Sequence, residues 1–130
     1  MSPETVLRQL FIKEMHPEIG VEPVESGAVN PGFPDLLLSV PGKDGLFPVE
    51  LKVGKISNGT LTVKYRADQN AKQYELRRRT RHVYTVMYVP ETGVYYVVRD
   101  YRERWKLNDL KECAVHCGTS LRGWKEELLK

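Results

Sequence analysis

The chain opens on an apolar stripe at helical spacing. Leu7, Leu10, Phe11 and Met15 recur at intervals of three and four, the period of one helix face. Ser2 as N-cap and Pro3 as first helical residue supply a start. His16-Pro17 supplies a stop, because the residue before proline avoids the α region. Val21–Glu25 reads as a short strand. The period then changes to two. Leu36–Val40 and Leu46–Val53 are apolar runs split by Pro41-Gly42-Lys43-Asp44-Gly45, a turn signal that predicts a β-hairpin or two neighbouring strands. Asn58-Gly59, between the short alternating runs of 56–63, predicts a type I′ hairpin whose exposed tip is a candidate for backbone contact with a polyanion.

A second helix is expected from Ala67 to about Thr80, with Asp68 as N-cap and Ala71, Tyr74 and Arg78 sharing a face. Val83–Val89 and Val94–Arg99 are dense in β-branched and aromatic residues and predict two strands joined by a turn at Pro90–Gly93. Past Tyr101 the pattern weakens. Leu107–His116 reads as a helix stopped by Gly118, and Gly123–Leu129 as a last helix with Trp124, Leu128 and Leu129 on its apolar side. The order helix, strands, helix, strands predicts an α+β (α/β-like) domain with a mixed central β-sheet flanked by helices. Residues 1–130 read as one domain, with a core over about 1–100 and a C-terminal helical extension over about 101–130.

Composition changes this picture in one respect. At 130 residues, 41% hydrophobic and 28% charged, the chain is an ordinary globular one with room for a core. No apolar run reaches the length of a membrane span, and the first residues lack a signal-peptide pattern, so an intracellular location without a membrane partner is expected. Cys113 and Cys117 fit a reducing compartment. With His116 they do not make a standard zinc spacing, and they are expected to be ordinary buried cysteines. The net charge is only +3, yet the stretch from Leu51 to His82 holds nine Lys/Arg against two Asp/Glu. That asymmetry predicts one basic face turned to a nucleic acid. Its members are Lys55, Lys64, Arg66, Lys72, Arg77, Arg78, Arg79 and Arg81. Guanidinium forks suit phosphates, although part of the arginine run also complements the helix dipole. Tyr84, Tyr88, Tyr95 and Tyr96 are expected to cover the sheet rather than stack on bases.

Chemistry concentrates in the first hairpin. Side chains alternate along a strand, so Glu50 and Lys52 share one face while Val49, Leu51 and Val53 take the other. An acid and a base inside a largely buried strand cost several kcal/mol unless compensated. Asp35 comes beside Glu50 if the two runs pair. Two carboxylates at one spot repel unless a cation joins them, and hard oxygen ligands suit Mg²⁺ or Mn²⁺. The plainer alternative is a half-solvated Glu50–Lys52 pair at a sheet edge, with Asp35 a turn residue. Glu4, three residues before Leu7, lies on or beside the apolar stripe of the first helix.

Pro34-Asp35, fourteen intervening residues and Glu50-Leu51-Lys52 together resemble the PD-(D/E)XK nuclease superfamily. The Gly32-Phe33-Pro34-Asp35 form looks most like its VRR-NUC and archaeal Holliday-junction-resolvase branches, and the resemblance covers roughly residues 4–90. It implies a restriction-endonuclease-like core. It also implies metal ligation by Asp35, Glu50 and the backbone carbonyl of Leu51, with Glu4 (or Glu14) near the same ion or a second one. Lys52 would orient the attacking water, stabilise charge on phosphorus or act as a base. Gln69 would orient the lysine or touch substrate, and Ser26 would stand in a loop running close to the scissile phosphate. The implied activity is Mg²⁺- or Mn²⁺-dependent hydrolysis of DNA that leaves a 5′-phosphate. A homodimer acting on branched DNA is expected, in the cytoplasm of a bacterium or of a virus-infected cell. A flap, nicking or restriction-type endonuclease with the same site, and an inert DNA-binding module of the same fold, are the alternatives. A sugar- or lipid-binding domain would leave the basic stretch unexplained.

Overall fold

The computed structural model describes residues 2–24, 34–80 and 82–130. Helix α1 (Pro3–Met15) begins at Ser2, whose hydroxyl accepts from the Thr5 N–H. It buries Leu7, Phe11 and Met15, while Leu10 is exposed. Strand β1 (Gly20–Pro23) leads to the expected hairpin of β2 (Leu36–Ser39) and β3 (Phe47–Val53), paired antiparallel with Leu36 opposite Val49. Next come β4 (Lys55–Ser57) and β5 (Thr60–Thr62), joined by Asn58 and Gly59. Both have positive φ, the backbone that a two-residue hairpin of this type requires. Gly54, just before β4, sits where a Cβ would lie 3.1 Å from Leu61, so glycine lets the small sheet close onto β3.

Helix α2 (Ala67–Arg79) follows, then β6 (Tyr84–Val89), β7 (Val94–Val98), β8 (Arg104–Lys106), α3 (Leu107–Cys113), β9 (His116–Gly118) and α4 (Arg122–Leu129). The main sheet runs β1-β2-β3-β6-β7-β9 and a second, antiparallel sheet runs β4-β5-β8. In the main sheet β3 and β6 pair in parallel, Glu50 opposite Thr85, and the other neighbours are antiparallel. The expected α+β domain with a mixed central sheet and flanking helices is therefore what the chain forms.

Each face of the main sheet carries its own core. Val49, Leu51, Tyr84, Val86 and Val97 pack with α1 and with Trp124 and Leu128 of α4. Met87, Tyr96 and Val98, from the other face, pack with Leu61, Val63, Tyr65, Trp105 and Leu110. Tyr84, Tyr95 and Tyr96 are buried and Tyr88 packs against the first core, as sheet alternation requires.

Four expectations need correction. Arg66, not Asp68, precedes the first residue of α2, and Asp68 lies in its first turn. The inward face of α2 is Gln69 and Gln73, with Tyr74 60% exposed, so Ala71, Tyr74 and Arg78 point outward. The helix after Leu107 stops at Cys113, and His116–Gly118 pairs with β7 as an edge strand. Cys113 and Cys117 are exposed rather than buried, because a short helix end and an edge strand leave them uncovered. The stretch 101–130 also supplies β8 and β9 to the two sheets.

Candidate active site

The site forms where β3 outruns β2. Pairing between the two ends at Leu36 and Val49, so Leu51 has no strand partner on that side. Asp35 takes the vacant place, and its Oδ2 accepts from the Leu51 N–H at 3.0 Å. A strand residue directs its N–H and C=O to the same side. The Leu51 carbonyl therefore faces the Asp35 carboxylate as well. Glu50 and Lys52 project from the opposite face to Leu51, toward α2. Gln69, in the first turn of α2, reaches back between them. Its Nε2 donates to Glu50 Oε1 at 3.0 Å and its Oε1 accepts from Lys52 Nζ at 2.9 Å. The same Oε1 accepts from the Arg66 N–H at 2.9 Å, which fixes the amide orientation.

Glu50 is 2% exposed. Burial, and then the charge of Asp35 beside it, push its carboxyl up to about 8, against the pull of Lys52 and Arg66. Lys52 Nζ lies 3.8 Å from Glu50 Oε1 and 4.9 Å from the centre of the Tyr65 ring. The Tyr65 hydroxyl and Thr85 Oγ1 are 2.9 Å apart, and burial raises the phenol to about 12. Glu50 Oε2 is buried without a hydrogen-bond partner among the described residues. A buried oxygen of this kind is costly to leave unpaired.

Asp35, Glu50, Leu51, Lys52 and Gln69 line one open cleft of about 610 Å³. Glu4 stands on its wall, whereas Glu14 lines a separate hollow with Leu10 and Tyr95. Lys55, Lys64 and Arg66 are on the rim, and Arg8 of α1 joins them. Sequence reasoning did not single out Arg8 or Tyr65. Arg8 follows Glu4 by one helical turn, a spacing that could have drawn notice. Lys72, Arg77, Arg78 and Arg79 lie further along α2 and do not line the cleft. Arg77 is tied into the fold: Nε donates to Gln73 Oε1 at 3.1 Å, and the guanidinium sits 5.4 Å from the Tyr101 ring centre. Burial lowers its pKa. Lys72 and Arg79 each pair with Glu75. Ser26 and Arg81 lie outside the described residues.

The donor set suits a hard divalent cation. Two carboxylates and a main-chain carbonyl converge, and one carboxylate oxygen is buried and unsatisfied. No group of three His, Cys, Asp or Glu side chains close enough to share an ion occurs among the described residues. A two-carboxylate site fits Mg²⁺, which binds few protein ligands and keeps several waters.

A solved structure shares this arrangement of elements. It is a bacterial homing endonuclease, I-Ssp6803I, 17% identical, with a TM-score of 0.57 over 96% of this chain and 88% of that one. The two proteins have the same fold. No protein-family model matches the chain, and no curated protein matches it in sequence. No helix among the described residues is long and apolar enough to cross a membrane.

Proposed function

We propose that the chain is a divalent-metal-dependent endonuclease that hydrolyses phosphodiester bonds in branched DNA, of the Holliday-junction-resolvase kind, acting as a homodimer. The carrying observation is the convergence of Asp35, Glu50, Lys52 and Gln69 around a buried, unpartnered carboxylate oxygen. Asp35, Glu50 and the Leu51 carbonyl would hold Mg²⁺ or Mn²⁺, with Glu4 on the adjoining wall. Bound there, such an ion polarises a phosphate and lowers the pKa of a water.

The chain's own residues supply the rest. Gln69 holds the Lys52 ammonium inside the cleft, where a fixed positive charge favours the charge that develops on phosphorus. The same amide orients Glu50, so one side chain sets the geometry of both. Arg8, Lys55, Lys64 and Arg66 on the rim draw a polyanion to the cleft. The shared fold with a homing endonuclease supports a nuclease reading. Two-fold pairing of the chain would place two such sites for symmetric cuts in a branched duplex.

The test is cleavage of a labelled immobile four-way junction beside flap and linear duplex substrates, in Mg²⁺, Mn²⁺ or EDTA. The Asp35→Asn variant runs in parallel. Paired symmetric cuts on the junction, absent in EDTA and in the variant, are expected. Cuts confined to flaps or linear duplex would replace the junction assignment with a flap, nicking or restriction-type activity. DNA binding without cleavage in either metal would leave an inert binding module.

A further inference from the structure

Beyond Lys55 and Thr62, which line the cleft, the outer face of the small sheet has no assigned role. The register of β4, β5 and β8 arranges their residues in three rows. The middle row, Ile56, Leu61 and Trp105, belongs to the second core. The flanking rows are Lys55, Thr62 and Arg104, and Ser57, Thr60 and Lys106. Because side chains alternate along each strand, these six share the face opposite the core. The burial pattern agrees: Lys55, Ser57, Arg104 and Lys106 are exposed, and the two threonines are half-buried. Every side chain on the face is a cation or a hydroxyl.

None of the three cations forms an ion pair among the described residues. Lys55 and Arg104 stand two strand spacings apart, about 10 Å, so the face presents concentrated, uncompensated positive charge. It is also continuous with the cleft, because Lys55 and Thr62 line both. A polyanion engaged in the cleft would extend across this sheet. Duplex DNA carries one negative charge per roughly 1.7 Å of axis, and ammonium, guanidinium and hydroxyl groups are the usual ligands of its phosphates. Base-reading amides are absent from the six positions, as are apolar side chains.

We infer that the outer face of β4-β5-β8 is a phosphate-anchoring platform for duplex DNA, gripping the arm beside the strand that enters the cleft. The inference rests on the DNA-cleaving reading of the cleft. It adds a second contact region that fixes register and orientation without reading sequence, with Arg104 and Lys106 as its outermost members.

The test is binding of a labelled DNA duplex of about 30 base pairs, followed by anisotropy in EDTA over roughly 50–200 mM salt. The variant is Arg104→Gln/Lys106→Gln, both at exposed positions. Lys13→Gln/Arg122→Gln removes the same charge from exposed positions on α1 and α4 and serves as the control. The slope of log affinity against log salt should fall by about two for the platform variant, and by little for the control. Coincident melting curves would show both variants folded. Equal slope losses in both variants, or none in either, would overturn the platform. The same loss on an RNA duplex bound more tightly than DNA would overturn the assignment to DNA. Because binding is read without metal, the two readings fail separately. Active wild type with an unchanged slope removes the platform alone, and a slope loss in a protein that never cuts removes the nuclease reading alone.

Discussion

Glu50→Gln in metal-free protein offers the sharpest check on the site. The folded chain keeps the Glu50 proton up to about pH 8, against an ordinary value of 4.5. The unfolded chain gives it up near that ordinary value. Between the two pH values the folded state binds more protons, so stability falls as pH rises through the window and levels off above it. Each pH unit corresponds to about 1.4 kcal/mol, and the change from about pH 5 to about pH 7 amounts to roughly 2–3 kcal/mol. The sign is opposite to that of an ion-paired carboxylate, because burial and the Asp35 charge outweigh Lys52. Glutamine keeps an oxygen for the Gln69 donor and removes the charge. The variant should therefore lack this pH dependence, and its advantage over wild type should grow by roughly 2–3 kcal/mol across that interval. Urea unfolding in EDTA at several pH values measures this directly. A constant difference between the two proteins would refute the reasoning, since it would mean that Glu50 is already ionised in the folded state. Adding Mg²⁺ near neutral pH should stabilise wild type by mass action and leave the variant unchanged.

Four further outcomes are expected. Gln69→Leu removes the bridge between Glu50 and Lys52 and leaves both without that partner, which should cost about 1–3 kcal/mol and abolish cleavage; unfolding and cleavage assays read the two effects. Arg77→Gln should lower stability by about 1–3 kcal/mol with the salt dependence of DNA binding unchanged. Arg78→Gln, at an exposed position, should do the reverse, leaving stability unchanged and reducing the salt slope by about one. Trp124→Ala empties a buried position against Phe11 and Tyr84, so a loss of about 3–5 kcal/mol in chemical denaturation is expected.

What the sequence made legible follows from how each element is held. The β2–β3 hairpin, α1 and the β6–β7 pair carry apolar periodicity, because each buries a regular apolar face. The inward face of α2 is instead polar, Gln69 and Gln73 beside the partly buried Arg77. Apolar periodicity therefore points to the wrong side of that helix. β8 buries only Trp105 of its three residues and β9 none, so both strands owe their existence to pairing with distant partners. At the site, the motif spacing brought Asp35 and Glu50 to notice. The Asp35–Leu51 and Gln69 contacts depend on where β2 ends and where α2 docks, which no local pattern encodes. The position of Arg104 and Lys106 on the basic sheet face was equally hidden, because it depends on the register of β8.

The parallel pairing of β3 with β6 bears on the order in which the chain assembles. The β2–β3 hairpin closes over a short turn, but β6 can join β3 only after the chain 54–83 has looped around. Contacts distant in sequence form slowly, since the loop must close before any pairing rewards it. Gln69 travels on that same loop. Until α2 arrives, Glu50 and Lys52 remain in water on one uncovered side of the hairpin, with no charge to bury. Desolvation of Glu50 and the arrival of its Gln69 hydrogen bond are then a single late event. Burial of this carboxylate is thereby tied to the docking of the helix that brings its partner, and the cleft is complete only once Gln69 is in place.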